Sequence, residues 1–111
     1  MVTIKNIKIN KEITDKVLAF GKLLEEGGLP VEKLVIFGSY AKNTEKAGSD
    51  IDVAVISPSF GNDLIDEMQF LFKQRMTVDA LIEPYPLSPD EFKNGFSPIL
   101  SEIKKYGVQV A

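Results

Sequence analysis

The apolar residues fall into runs of two different periods. Ile13, Val17, Phe20 and Leu24 recur at spacings of four, three and four, the stripe of an amphipathic helix. Asn10 stands where an N-cap belongs, and Gly27-Gly28 with Pro30 close the segment. Val31 to Phe37 ends in four consecutive apolar residues and predicts a buried strand, broken by Gly38-Ser39. Tyr40 to Lys46 predicts a short helix running into a polar loop that ends at Gly48. Ser49 to Ile56 predicts a second strand, stopped by Pro58, and Asp63 to Arg75 a helix with Leu64, Ile65, Met68, Leu71 and Phe72 on one side. Met76 to Ile82 predicts a third strand bounded by Pro84 and Pro86. Ser88-Pro89-Asp90-Glu91 has the form of a helix start. Ile99 to Tyr106 predicts a last helix ended by Gly107, with a short strand at Val108 to Val110. Val2 to Ile9 alternates imperfectly, as an edge strand or an ordered arm would.

Strands alternating with helices predict an α/β (α+β) fold, a small mixed β-sheet with helices packed on it. The 111 residues are one domain's worth, residues 1–111 being read as a single unit without repeat or linker. No apolar run reaches membrane-spanning length, and lysines interrupt the N-terminal residues where a signal peptide needs an apolar core. A cytoplasmic protein is expected.

Composition then removes most chemistries. The chain has no cysteine and no histidine, so thiolate sites, disulfides, histidine bases and histidine-held metals are excluded. Any metal must sit on oxygen ligands, which favours Mg²⁺, Mn²⁺ or Ca²⁺. The net charge of -3, without a dense basic run, argues against general nucleic-acid binding.

Asp50 and Asp52 lie two apart in an otherwise apolar strand and so project from one face. Two ionised carboxylates this close repel, and a divalent cation relieves both the repulsion and the lost hydration. An Asp-x-Asp alone is a weak signal; a solvated strand end suits Ser49-Asp50, but Asp52 lies further into the apolar run. Asp79 strengthens it, because Thr77 to Ile82 reads as an apolar strand with a lone carboxylate inside. The competing explanation is an ion pair to a basic residue, with Lys73 and Arg75 nearby in sequence. Gly38-Ser39 follows a buried strand directly; glycine permits close approach of a ligand to the backbone, and Ser39 can donate to a phosphate oxygen or simply cap a helix.

Taken together, Phe37-Gly38-Ser39, a spacer from Tyr40 to Ser49, then Asp50-Ile51-Asp52-Val53, resembles the signature of the DNA polymerase beta-like nucleotidyltransferase superfamily. The short chain resembles its minimal nucleotidyltransferases. The resemblance spans residues 10 to 82 and implies a palm-like core, with nothing usable in residues 83 to 111. It implies that Gly38 and Ser39 bind a triphosphate, and that Asp50, Asp52 and Asp79 hold two Mg²⁺ ions (Mn²⁺ possible), with Asp79 also activating the attacking hydroxyl. Where many such proteins carry Ala-Arg-Gly, this chain has Ala41-Lys42-Asn43. Lys42 keeps the charge for a phosphate without the bidentate fork, and Asn43 tolerates the left-handed conformation.

The activity implied is transfer of a nucleoside monophosphate, AMP from ATP, to a hydroxyl. Members of this group often pair with a HEPN-type partner in toxin–antitoxin systems and modify its tyrosine; a homo-oligomer is the other way to complete so small a site. The alternatives are a non-catalytic module that masks a partner, and a nucleotide-sugar glycosyltransferase, which usually needs a much longer chain.

Overall fold

The computed structural model describes residues 9–111. The strand or arm expected over Val2 to Ile9 therefore lies almost wholly outside the described residues.

Helix α1 (Lys11–Glu26) starts on the expected cap, the Asn10 side chain accepting from the Glu12 amide at 2.8 Å. Strand β1 (Lys33–Phe37) leads through Gly38 into a single helical turn, α2 (Ser39–Lys42). The turn is shorter than expected because Asn43 leaves the helix in the left-handed conformation, φ 60°. Strand β2 (Ile51–Ile56) follows, then α3 (Leu64–Arg75), capped by Asp63. Strand β3 (Ile82–Leu87), helices α4 (Pro89–Asn94) and α5 (Pro98–Tyr106) and the short β4 (Val108–Gln109) complete the chain.

The sheet order is β3-β2-β1-β4. β1 runs antiparallel to both β2 and β4, while β2 and β3 are parallel, joined through α3. The mixed sheet is as expected, and alternation along its strands builds two cores. On one face Leu34, Ile36, Ile51, Val53, Val55 and Ile82 pack under α1 and under Leu71 of α3. On the other, Val35, Phe37, Ala54, Ile56 and Leu87 meet Phe92, Leu100 and Ile103 of α4 and α5.

The third strand departs from expectation. Met76 to Leu81 forms a turn, and the strand begins at Ile82, running through the two prolines that were read as its boundary. Proline lacks an N–H and is tolerated on an edge strand where alternate backbone groups point away from the sheet. β3 is such an edge. The carbonyls of Leu81 and Leu87 accept from Ile51 and Ser57, so the alternate residues Ile82, Pro84 and Pro86 turn their backbone outward. Both prolines occupy positions where no donor is required.

Candidate functional site

One end of the sheet gathers the polar groups. β1 leaves the sheet at Phe37, opposite Asp52, and the chain turns at Gly38 with φ 72° and ψ -148°, a region open to glycine but strained for other residues. A Cβ at Gly38 would stand 2.0 Å from Asp52 Oδ2. Backbone and carboxylate are in close approach, and only a residue without a side chain fits between them. Ser39 and Tyr40 open the next turn.

Asp52 projects from the face of β2 that carries Ala54 and Ile56, towards α5. Asp50 lies two residues earlier, just outside the strand and exposed. The residue beside Asp52 on β3 is Glu83, its Cα partner in the parallel register. Glu83 shares a face with Tyr85 and Leu87, so its side chain emerges on the Asp52 side. Arg75 reaches the same strand, donating to the Ile82 carbonyl at 2.9 Å and to Glu83 Oε1 at 3.5 Å.

The electrostatics mark Asp52. Burial, followed by the negative charges of Asp50, Glu83 and Glu102, pushes its carboxyl up from 3.8 to about 6, against the opposing pull of Lys42. Lys42 itself is paired with Glu102 of α5 at 3.0 Å and sits 5.2 Å from the centre of the Tyr106 ring. Three further carboxylates and one ammonium thus act on Asp52 through space.

Asp79 does not join them. It lies in the turn before β3, accepts from Lys16 of α1 at 2.7 Å and caps the Leu81 amide at 2.8 Å. Those contacts hold its carboxyl below the usual range, the Lys16 hydrogen bond first. Lys16 belongs to α1, which covers the opposite face of the sheet from Asp52. The expectation that Asp79 completes the carboxylate set is therefore corrected: an ion pair accounts for it, with Lys16 and not Lys73 or Arg75 as the partner. Glu83 takes the place beside Asp52.

Oxygen donors of this kind suit a hard divalent cation, and a carboxylate lifted to about 6 by burial and then by like charges is one that a cation would stabilise. Among the described residues, no three acidic side chains already converge tightly enough to enclose an ion. The backbone register brings Asp52 and Glu83 side by side; closing the ligand set takes rotation of side chains, including release of Glu83 from its long contact with Arg75.

Sequence reasoning missed Glu83, Glu102 and Arg75. The signal for Glu83 was Ile82-Glu-Pro-Tyr-Pro-Leu87, whose prolines at alternate positions mark an edge strand with glutamate on the other parity. Nothing local points to Glu102, which comes to the site only through the packing of α5.

A mixed four-stranded sheet flanked by helices, with a glycine turn set against aspartates on the neighbouring strand, is the architecture of the nucleotidyltransferases. The chain belongs to the nucleotidyltransferase domain family, which matches it over residues 17–108. No curated protein sequence matches it closely. Similar solved structures include one from Sulfolobus solfataricus provisionally assigned as a nucleotidyltransferase, at 20% identity and a TM-score of 0.59, covering 89% of this chain and 83% of that one. A toxin–antitoxin structure with AMP-PNP is similar at 23% identity and TM-score 0.56, covering 88% and 72%. A tri-AMPylated Shewanella oneidensis HEPN toxin in complex with MNT antitoxin is similar at 20% and 0.53, covering 91% and 71%. At these identities the likeness is one of fold. Among the described residues no helix is long and apolar enough to cross a membrane.

Proposed function

We propose that this nucleotidyltransferase moves AMP from ATP to a hydroxyl, using Mg²⁺ held by Asp50, Asp52 and Glu83. The observation that carries this reading is the parallel register of Asp52 and Glu83, beside a glycine whose backbone lies against the Asp52 carboxylate. The metal would neutralise charge on the entering and leaving oxygens of an in-line displacement. Gly38 lets the turn lie against Asp52 so that the triphosphate is held at that turn, Ser39 donates a hydroxyl to a phosphate oxygen, and Lys42 supplies a cation at the rim. The acceptor oxygen bonds to the α-phosphorus, the bond from the α-phosphorus to its bridging oxygen breaks, and pyrophosphate leaves. The acceptor proton passes to a carboxylate, a role that moves from Asp79 to Glu83.

The acceptor we favour is a tyrosine hydroxyl of a HEPN-type protein. Support comes from the fold shared with complexes of a HEPN toxin, one of them tri-AMPylated, and of AMP-PNP. With ATP as the donor, the reading goes with a cytoplasmic reaction.

The test is transfer of radiolabel from α-³²P-ATP to a co-purified HEPN-type partner. Label is expected with Mg²⁺ and is absent with EDTA, with Asp52→Asn and with Glu83→Gln. Label that survives Asp52→Asn would overturn the site; a folded, partner-binding protein that never transfers label would favour a masking module.

A further inference from the structure

We propose that α3 is a self-association surface through which two copies of this chain pair antiparallel about a two-fold axis. The proposal does not depend on the catalytic reading.

Helix α3 buries one residue, Leu71, against the sheet. Much of its apolar content faces solvent: Ile65 is 69% exposed and Met76 65%, with Met68 and Phe72 half-buried between them, while Leu64 and Phe70 are exposed to either side of this line. At about 100° per residue, Ile65, Met68, Gln69, Phe72 and Met76 fall within a sector of roughly 100°. They form one stripe along the whole helix, beginning beside Leu71 and centred about 110° around the helix from it. Met68, Gln69 and Phe72 line a shallow apolar hollow of about 180 Å³ at its middle. A continuous stripe of this kind on a surface helix marks an interaction site rather than scattered exposure.

The charges beside the stripe identify the occupant. Asp66 and Lys73 are seven residues apart, two helical turns, and so lie on the same flank. Neither side chain has an ion-pair partner among the described residues. A two-fold axis normal to the helix keeps each flank on its own side and reverses the direction along it. Asp66 of one copy then stands against Lys73 of the second, and the pair occurs twice. The stripe is thus complementary to itself when antiparallel, whereas a two-fold axis along the helix would exchange the flanks and leave Asp66 and Lys73 without each other as partners. Helix α3 covers the α1 face of the sheet, so this pairing leaves Asp50, Asp52 and Glu83 open on the other.

Twelve residues span about 18 Å, less than a stable interface needs, so the dimer is weak and its population follows concentration. Sedimentation equilibrium of the full chain at low salt tests it. A monomer–dimer equilibrium is expected. Asp66→Lys and Lys73→Asp should each weaken it about tenfold by placing two like-charge pairs in contact. The double exchange should restore it, and Ile65→Glu should abolish it, with circular dichroism unchanged because all three side chains are exposed. A monomer at every concentration, a dimer indifferent to Ile65→Glu, or a double exchange that fails to recover association would overturn the proposal. The first result would leave the stripe to a different protein.

Discussion

Glu83 stands beside Asp52 across a parallel strand pair, whereas Asp79, four residues earlier in the chain, is tied to Lys16 on the other side of the sheet. The two acidic residues of one short segment therefore have separate duties. Glu83→Gln is expected to lower kcat/KM about 100-fold or more with the fold intact, as loss of a metal ligand does. Asp79→Asn is expected to leave transfer nearly unchanged and to lower Tm slightly, because it loosens a partly buried ion pair. Steady-state kinetics and thermal melts on both variants check this; equal loss of activity in the two would return Asp79 to the site.

Gly38→Ala tests the close approach of backbone and carboxylate. The new methyl meets Asp52 Oδ2 in a backbone conformation that alanine resists. Stability is expected to fall by about 1–2 kcal/mol, and activity by far more than Ser39→Ala costs. Denaturant unfolding beside transfer assays separates the two effects.

Stability without metal should depend on pH through Asp52. Its carboxyl is near 6 in the folded chain and near 3.8 when unfolded. Between those values the native state keeps a proton that the unfolded state has lost, so stability falls as pH rises from about 4 to about 6 and the penalty then stays. Asp52→Asn should flatten that slope and gain about 1–2 kcal/mol above pH 6, after allowing for solvent screening. Mg²⁺ should stabilise the wild type increasingly across the same window, because the ligand must shed its proton. Denaturant unfolding from pH 4 to 8, with and without Mg²⁺, measures both; a slope unchanged in the asparagine variant would remove Asp52 as its source.

Lys42 and Glu102 should act in opposite directions. Lys42→Ala removes the ammonium at the rim and is expected to raise KM for ATP about tenfold. Glu102→Gln removes a carboxylate that holds Lys42 and adds to the negative charge around Asp52, so KM for ATP should fall. Equal increases in KM would show that the pair serves to attach α5 and does not tune the site.

How far the chain could be read in advance differs from element to element. Helix α1 was legible because its four-three-four spacing and the Asn10 cap are local and agree. β1 and β2 were legible from unbroken apolar runs. β3 was misplaced because Pro84 and Pro86 were weighed as breakers, and only its position at an edge makes them harmless. Asp79 looked costly inside an apolar strand; in a turn, facing Lys16 from sixty-three residues away, it is an ordinary ion pair.

From the order of residues alone came what neighbours along the chain decide: the helix periods, the glycine turn after a buried strand, and Asp52 at the start of an apolar strand with Asp50 two residues before it. Tertiary structure alone decided which residue lies across from Asp52, that Glu102 and Lys42 meet beside it, and which side of the sheet Asp79 occupies. The physical reason is range. Side-chain alternation is a property of two or three consecutive residues, but strand register and helix docking are set by burying whole faces at once, and no window of sequence contains them.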